Sequence, residues 1–110
     1  MEILSWYIAK GSTGTDLDSA KHLYFRTKSR QNTSINSMVI TVLNNLGYTG
    51  DLNSMLKSFY ASKTGLSATL DFDYLEQQFF ANTTYDFSAG GGGGGTTGQA
   101  QGLLLALTYS

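Results

Sequence analysis

Asp51-Leu52-Asn53-Ser54-Met55-Leu56-Lys57-Ser58-Phe59-Tyr60 is a segment that this chain uses more than once. Counted from an acceptor-bearing residue at position 0, it sets apolar residues at +1 and +4, Asp or Asn at +2, and two large apolar residues at +8 and +9. The same template fits Asp16-Leu17-Asp18-Ser19-Ala20 with Tyr24 and Phe25, Ser34-Ile35-Asn36-Ser37-Met38 with Val42 and Leu43, and Asp71-Phe72-Asp73-Tyr74-Leu75 with Phe79 and Phe80. The copies start at 16, 34, 51 and 71, so they lie 18, 17 and 20 residues apart. Ser5-Trp6-Tyr7 followed by Gly11-Ser12-Thr13-Gly14 reads as the back half of one more copy, since Ser58-Phe59-Tyr60 is likewise followed by Lys63-Thr64-Gly65.

The template is that of a capped, amphipathic helix. Asp16, Ser34, Asp51 and Asp71 can each accept a hydrogen bond from the free amides of a first turn. The apolar spacing predicts a helix over residues 1–10 carrying Ile3, Trp6 and Tyr7 on one face. A second starts at Asp16 or Asp18, with Leu17, Ala20, Leu23, Tyr24 and the stem of Lys28 on its face. A third runs from Ser34 or Asn36 to Leu46. A fourth runs from Asp51 to about Ser62, and a fifth starts at Asp71 or Asp73, where Asp73 with Glu76 fits a capping box. Each helix spans only about three turns, too short to persist alone in water. The connectors, about four to eight residues, make sequential helices neighbours. The expected fold is therefore all-α: a small bundle of four to five short helices, built as helical hairpin repeats over residues 1–84. Of each apolar pair at +8 and +9, one member is expected in the core and the other at the bundle edge or on a partner.

Beyond Thr84 the composition changes. Tyr85-Asp86-Phe87-Ser88 alternates aromatic and polar residues, as an extended segment does. Six glycines follow (Gly90, Gly91, Gly92, Gly93, Gly94, Gly95), then a Thr/Gly/Gln stretch, then the uncharged apolar run Leu103-Leu104-Leu105-Ala106-Leu107 with Tyr109 close behind. Residues 85–110 are expected to form an extended arm ending in a short strand. Ordering glycine costs on the order of 1–2 kcal/mol per residue in backbone entropy, so an ordered tract must be held at both ends. Gly90–Gly95, Leu103, Leu104, Leu105, Leu107 and Tyr109 are the candidate partner-binding residues, added as a strand to a partner's sheet edge. The alternative is that the run folds back over the chain's own helices.

Charged residues make up 14% of the chain, where roughly 25% is usual. A surface so rich in Ser, Thr, Asn, Gln and Gly suits a protein packed against others. The net charge of −1 gives no general attraction to nucleic acid or to an anionic membrane. With no Cys and one His, thiolate and histidine-rich metal sites are excluded. The i, i+2 pairs Asp16/Asp18 and Asp71/Asp73 lack the further ligands and glycine of a calcium loop, and their counterparts Ser34/Asn36 and Asp51/Asn53 keep capping ability with less charge. They are read as caps. His22 has no triad spacing around it and is read as solvated or capping, with proton transfer and a small lytic hydrolase as the weaker alternatives. Lys21, Arg26, Lys28 and Arg30 suit the negative end of a helix dipole, or an acidic neighbour in an assembly. Gly90–Gly95 lacks the strand and spaced glycines of a phosphate loop. No cofactor, metal, nucleic acid, membrane or small-molecule substrate is expected. Met1-Glu2 opens without a basic region and the apolar stretch after it stops at Lys10, so no signal peptide is expected.

Tyr48-Thr49-Gly50-Asp51-Leu52-Asn53-Ser54-Met55, followed by Phe59-Tyr60, resembles the short G-x-T-G-[ST]-L-N-D-M helical modules of virion structural proteins of tailed bacteriophages. It departs from them in having Asp51 for Ser/Thr and Ser54 for the second acid. The resemblance implies a non-enzymatic virion component, made in the host cytoplasm, whose partners are capsid or tail subunits, its own copies included. Capsid decoration (a cement protein) is the first placement and a tail or fibre adaptor the second. A free cytoplasmic interaction domain is the reading outside a virion.

Overall fold

The computed structural model describes residues 3–89, which form five helices and no strand: α1 (Ile3–Ala9), α2 (Leu17–Ser29), α3 (Ile35–Asn45), α4 (Leu52–Thr64) and α5 (Phe72–Phe80). Helices α2 to α5 each begin one residue after position 0 of the template. The Asp16 carboxylate accepts from the Ser19 amide at 2.8 Å, and the Ser34 hydroxyl from the Ser37 amide at 3.2 Å. The Asp71 carboxylate accepts from the amides of Asp73 at 3.0 Å and Tyr74 at 3.4 Å. Asp51 holds the same extended backbone, φ −75°, without a cap hydrogen bond, though the nearby Ser54 hydroxyl and amide keep its carboxyl below the ordinary value. One expectation is corrected: Asp73 lies in the first turn and Asp71 is the cap, so Asp73 and Glu76 form no capping box. Asp71 wins because its extended backbone aims the carboxylate at the amides that Asp73 itself presents.

The helix ends repeat as well. At α1 the Ser12 amide donates to the Tyr7 carbonyl at 3.0 Å and the Gly11 amide to Ile8 at 2.9 Å. At α3 the Tyr48 amide donates to Leu43 at 3.0 Å and the Gly47 amide to Asn44 at 3.0 Å. This paired closure needs a left-handed residue, and Gly11 (φ 93°) and Gly47 (φ 98°) supply it. The first helix thus ends as a full copy does.

Each helix packs against its sequence neighbours, and α5 also packs against α1, so the five close into a ring. Position +4 is buried in every copy (Ala20, Met38, Met55, Leu75). The expectation for the +8 and +9 pairs is overturned: both members are buried in all four copies, and so are Trp6 and Tyr7. In a closed ring a helix meets neighbours on both flanks, so two adjacent side chains both find cover. Removing a large apolar side chain from water contributes about 1.5–3 kcal/mol, which makes these pairs the main source of stability.

Position +4 of α2 is alanine where the other copies carry Met or Leu, and Gly14 lies against its backbone. A Cβ at Gly14 would stand 2.2 Å from the Ala20 amide nitrogen. The connector lies on the first turn of α2, and the Ser12 hydroxyl fixes it there by donating to the Ala20 carbonyl at 2.8 Å. Gly14→Ala therefore clashes with backbone that cannot swing aside. We expect it to cost about 2 kcal/mol and to lower the melting temperature by roughly 10 °C, followed by circular dichroism.

Candidate functional site

A half-open pocket of about 310 Å³ takes lining residues from all five helices. Its aliphatic wall includes Leu17, Val39, Leu52 and Leu56. Tyr7 and Tyr60, 1% and 3% exposed, line it too, with Glu76 and Lys21. Burial, with the Glu76 charge behind it, raises the Tyr7 phenol well above its ordinary value. Burial does the same at Tyr60, beside the Tyr7 phenol and the Glu76 carboxylate. Burial and then Asp73 raise the half-buried Glu76 carboxyl, against the pull of Lys21. Both phenols therefore stay protonated and act as donors. Neither hydroxyl has a hydrogen-bond partner among the described residues. A pocket of this kind can take an apolar group that carries an acceptor.

Phe87 is also part of this wall and comes from outside the helices. Its ring lies 4.8 Å from Phe59, 4.9 Å from Phe25, 5.1 Å from Phe79 and 5.9 Å from Trp6, centroid to centroid. It is 3% exposed. The segment that reads as the start of an extended arm thus packs into the centre of the aromatic core as far as Phe87. The Trp6 indole N–H helps to hold the approach by donating to the Asn82 carbonyl at 3.2 Å.

Asp86 fastens Phe87 in place. Its carboxylate accepts from the Tyr24 hydroxyl and pairs with the Lys28 ammonium at 3.0 Å, and the Phe87 amide donates back to the Tyr24 oxygen at 3.2 Å. The acidic neighbour of Lys28 is therefore in its own chain. Lys10 and Lys63, from the ends of α1 and α4, also act on Asp86. Burial pushes the Asp86 carboxyl up, but the Tyr24 hydroxyl and Lys28 outweigh it and hold the group below the ordinary carboxylate range. Lys63 is buried, its ammonium 5.8 Å from the Phe59 ring centre; burial lowers its pKa and Asp86 raises it back in part.

The other residues singled out in the sequence are placed as follows. Asp16, Ser34, Asp51 and Asp71 stand at helix starts, apart from the pocket. His22 Nε2 is 3.0 Å from the Asn32 side-chain oxygen and ties α2 to the connector before α3. Gly90–Gly95, Leu103, Leu104, Leu105, Leu107 and Tyr109 lie outside the described residues. Among the described residues no helix is long and apolar enough to cross a membrane. Phe87, Asp86, Lys63 and the pocket tyrosines went unmarked as site residues in the sequence; the one local signal was the aromatic–polar alternation of 85–88. No known protein family, curated protein or solved structure matches this chain.

Two outcomes test the Phe87 arrangement. Phe87→Ala should cost about 3–5 kcal/mol in urea unfolding, a large part of the 5–15 kcal/mol of a typical domain; truncating Tyr74, which is 46% exposed, should change little. The second outcome concerns acid. A carboxylate whose folded pKa is depressed stabilises the fold above its unfolded value, near 3.9, and that contribution is lost as pH falls through the lower folded value. Asp86→Asn should therefore destabilise by about 1–2 kcal/mol at pH 7, the figure being kept small because the pair is one-third exposed. The gap between the two proteins should narrow below about pH 4 in acid melts.

Proposed function

We propose that this chain is a non-enzymatic structural protein of a tailed-phage virion, a compact helical knob anchored to the particle through residues 90–110. The observation that carries the reading is the Tyr48–Met55 connector with its Phe59-Tyr60 pair, whose parts each do a mechanical job: Gly47 closes one helix, Asp51 opens the next, and the aromatic pair is buried. These are the features of a building module. The weakly charged polar surface supports the same reading, since a knob held among neighbours gains little from repulsive charge. Capsid decoration is the placement we favour, with a tail or fibre adaptor second. In this role the knob acts by burial: the arm of one subunit adds contact area on another.

Among the described residues the core extends as far as Phe87, which a deletion starting at Gly90 leaves in place. Deleting Gly90–Ser110 should leave the helical circular dichroism spectrum intact and abolish incorporation into particles. Normal incorporation of the shortened chain would overturn the anchor reading. A free interaction domain would instead act as a soluble monomer with the arm dispensable, which sedimentation of the two proteins would reveal.

A further inference from the structure

We propose that the central pocket is the socket for the Leu103–Leu107 segment of a second copy of this chain. The proposal rests on the reading of the arm as an anchor and names what the anchor grips. The pocket wall mixes aliphatic side chains, Leu17, Val39, Leu52 and Leu56 among them, with aromatic rings and is polar at Lys21, Asn36 and Glu76, and the segment Leu103-Leu104-Leu105-Ala106-Leu107 is aliphatic and uncharged. A charged ligand of either sign meets both Glu76 and Lys21 at this pocket, whereas a neutral segment is repelled by neither. The two buried phenols, Tyr7 and Tyr60, are donors without acceptors among the described residues, and an inserted backbone brings carbonyl oxygens to them. A buried donor left unmatched is costly, so this match adds to the apolar one.

Chain length argues for a second copy. Phe87 already lines the pocket, so a segment meant for its own pocket needs only a short return. The spacer is instead residues 90–102, and from Ala89 to Leu103 it can reach about 46 Å at ~3.3 Å per residue. The folded body measures 35 × 28 × 27 Å. The spacer is thus long enough to clear one body and enter the next. Its glycines suit that passage, because they let neighbouring backbone approach closely. Repeated from copy to copy, such a contact is head-to-tail, and it closes a ring or extends a row according to the rotation at each step.

The chain contains no cysteine, which allows a direct test on the full-length protein. One preparation carries Leu56→Cys and another Leu105→Cys. Mixed and mildly oxidised, they should give a disulfide-linked heterodimer far in excess of either homodimer. Leu52→Cys serves as a second socket variant should Leu56→Cys fold poorly. Unlabelled protein in excess should suppress the heterodimer, and Leu103→Ser with Leu107→Ser on the Leu105→Cys chain should abolish it. Absence of the heterodimer overturns the proposal. So does a chain carrying both Leu56→Cys and Leu105→Cys that closes only within itself, since the segment then fills its own pocket. If deleting Gly90–Ser110 still abolishes incorporation while no heterodimer forms, the anchor reading stands and the socket alone falls.

Discussion

Everything in this small ring depends on aromatic side chains that meet from helices unable to stand alone. Each helix has two or three turns, so its backbone hydrogen bonds do not sustain it in water. What sustains it is the pair of large side chains near its end, buried on both flanks by the next helix and the previous one. Trp6 packs edge-on against Tyr24 at 5.4 Å and Phe80 at 5.1 Å, joining α1 to α2 and to α5. Phe87 then stacks on Phe59 and Phe79 and fills the place where these rings converge. The helices are consequences of the cluster as much as its scaffold.

The electrostatics follow the same economy. The chain has few charges, and several of them converge on one carboxylate. Asp86 pairs with Lys28 at the end of α2 and feels the charges of Lys10 and Lys63 at the ends of α1 and α4, and the same carboxylate holds the Tyr24 hydroxyl against the Phe87 backbone. Cations near a helix's C-terminal end are favoured by the dipole in any case. Here that general preference is put to a particular use, because Lys28 in the last turn of α2 also pairs with a carboxylate 58 residues further along the chain.

Local features of the fold were legible in the sequence. Position 0 marks the helix starts to within a residue, glycine marks three of the ends, and position +4 is buried throughout, since caps and periodicity are written in contiguous residues. Features that depend on ring closure were not legible. The burial of both +8 and +9 residues needs a neighbour on each side of the helix, which no single helix discloses. The Tyr24–Asp86 and Trp6–Asn82 contacts join residues 62 and 76 positions apart, with no local pattern to announce them. The pocket is equally non-local, because it takes one or more residues from every helix. The pairing of Gly14 with Ala20 lies between these cases: the alanine is visible as a departure from the template, but the close approach of Gly14 to its backbone is not.

The join between α5 and α1 also sets the order in which the molecule can be made. Of the five helices a ribosome releases α1 first, and its tryptophan and tyrosine lack their ring contacts with α5 and Phe87 until those emerge. Until then the growing polypeptide is an open arc with an exposed aromatic seam, however many helices have formed. Closure therefore waits on α5 and Phe87, and a chain stalled one copy short carries an unsealed core.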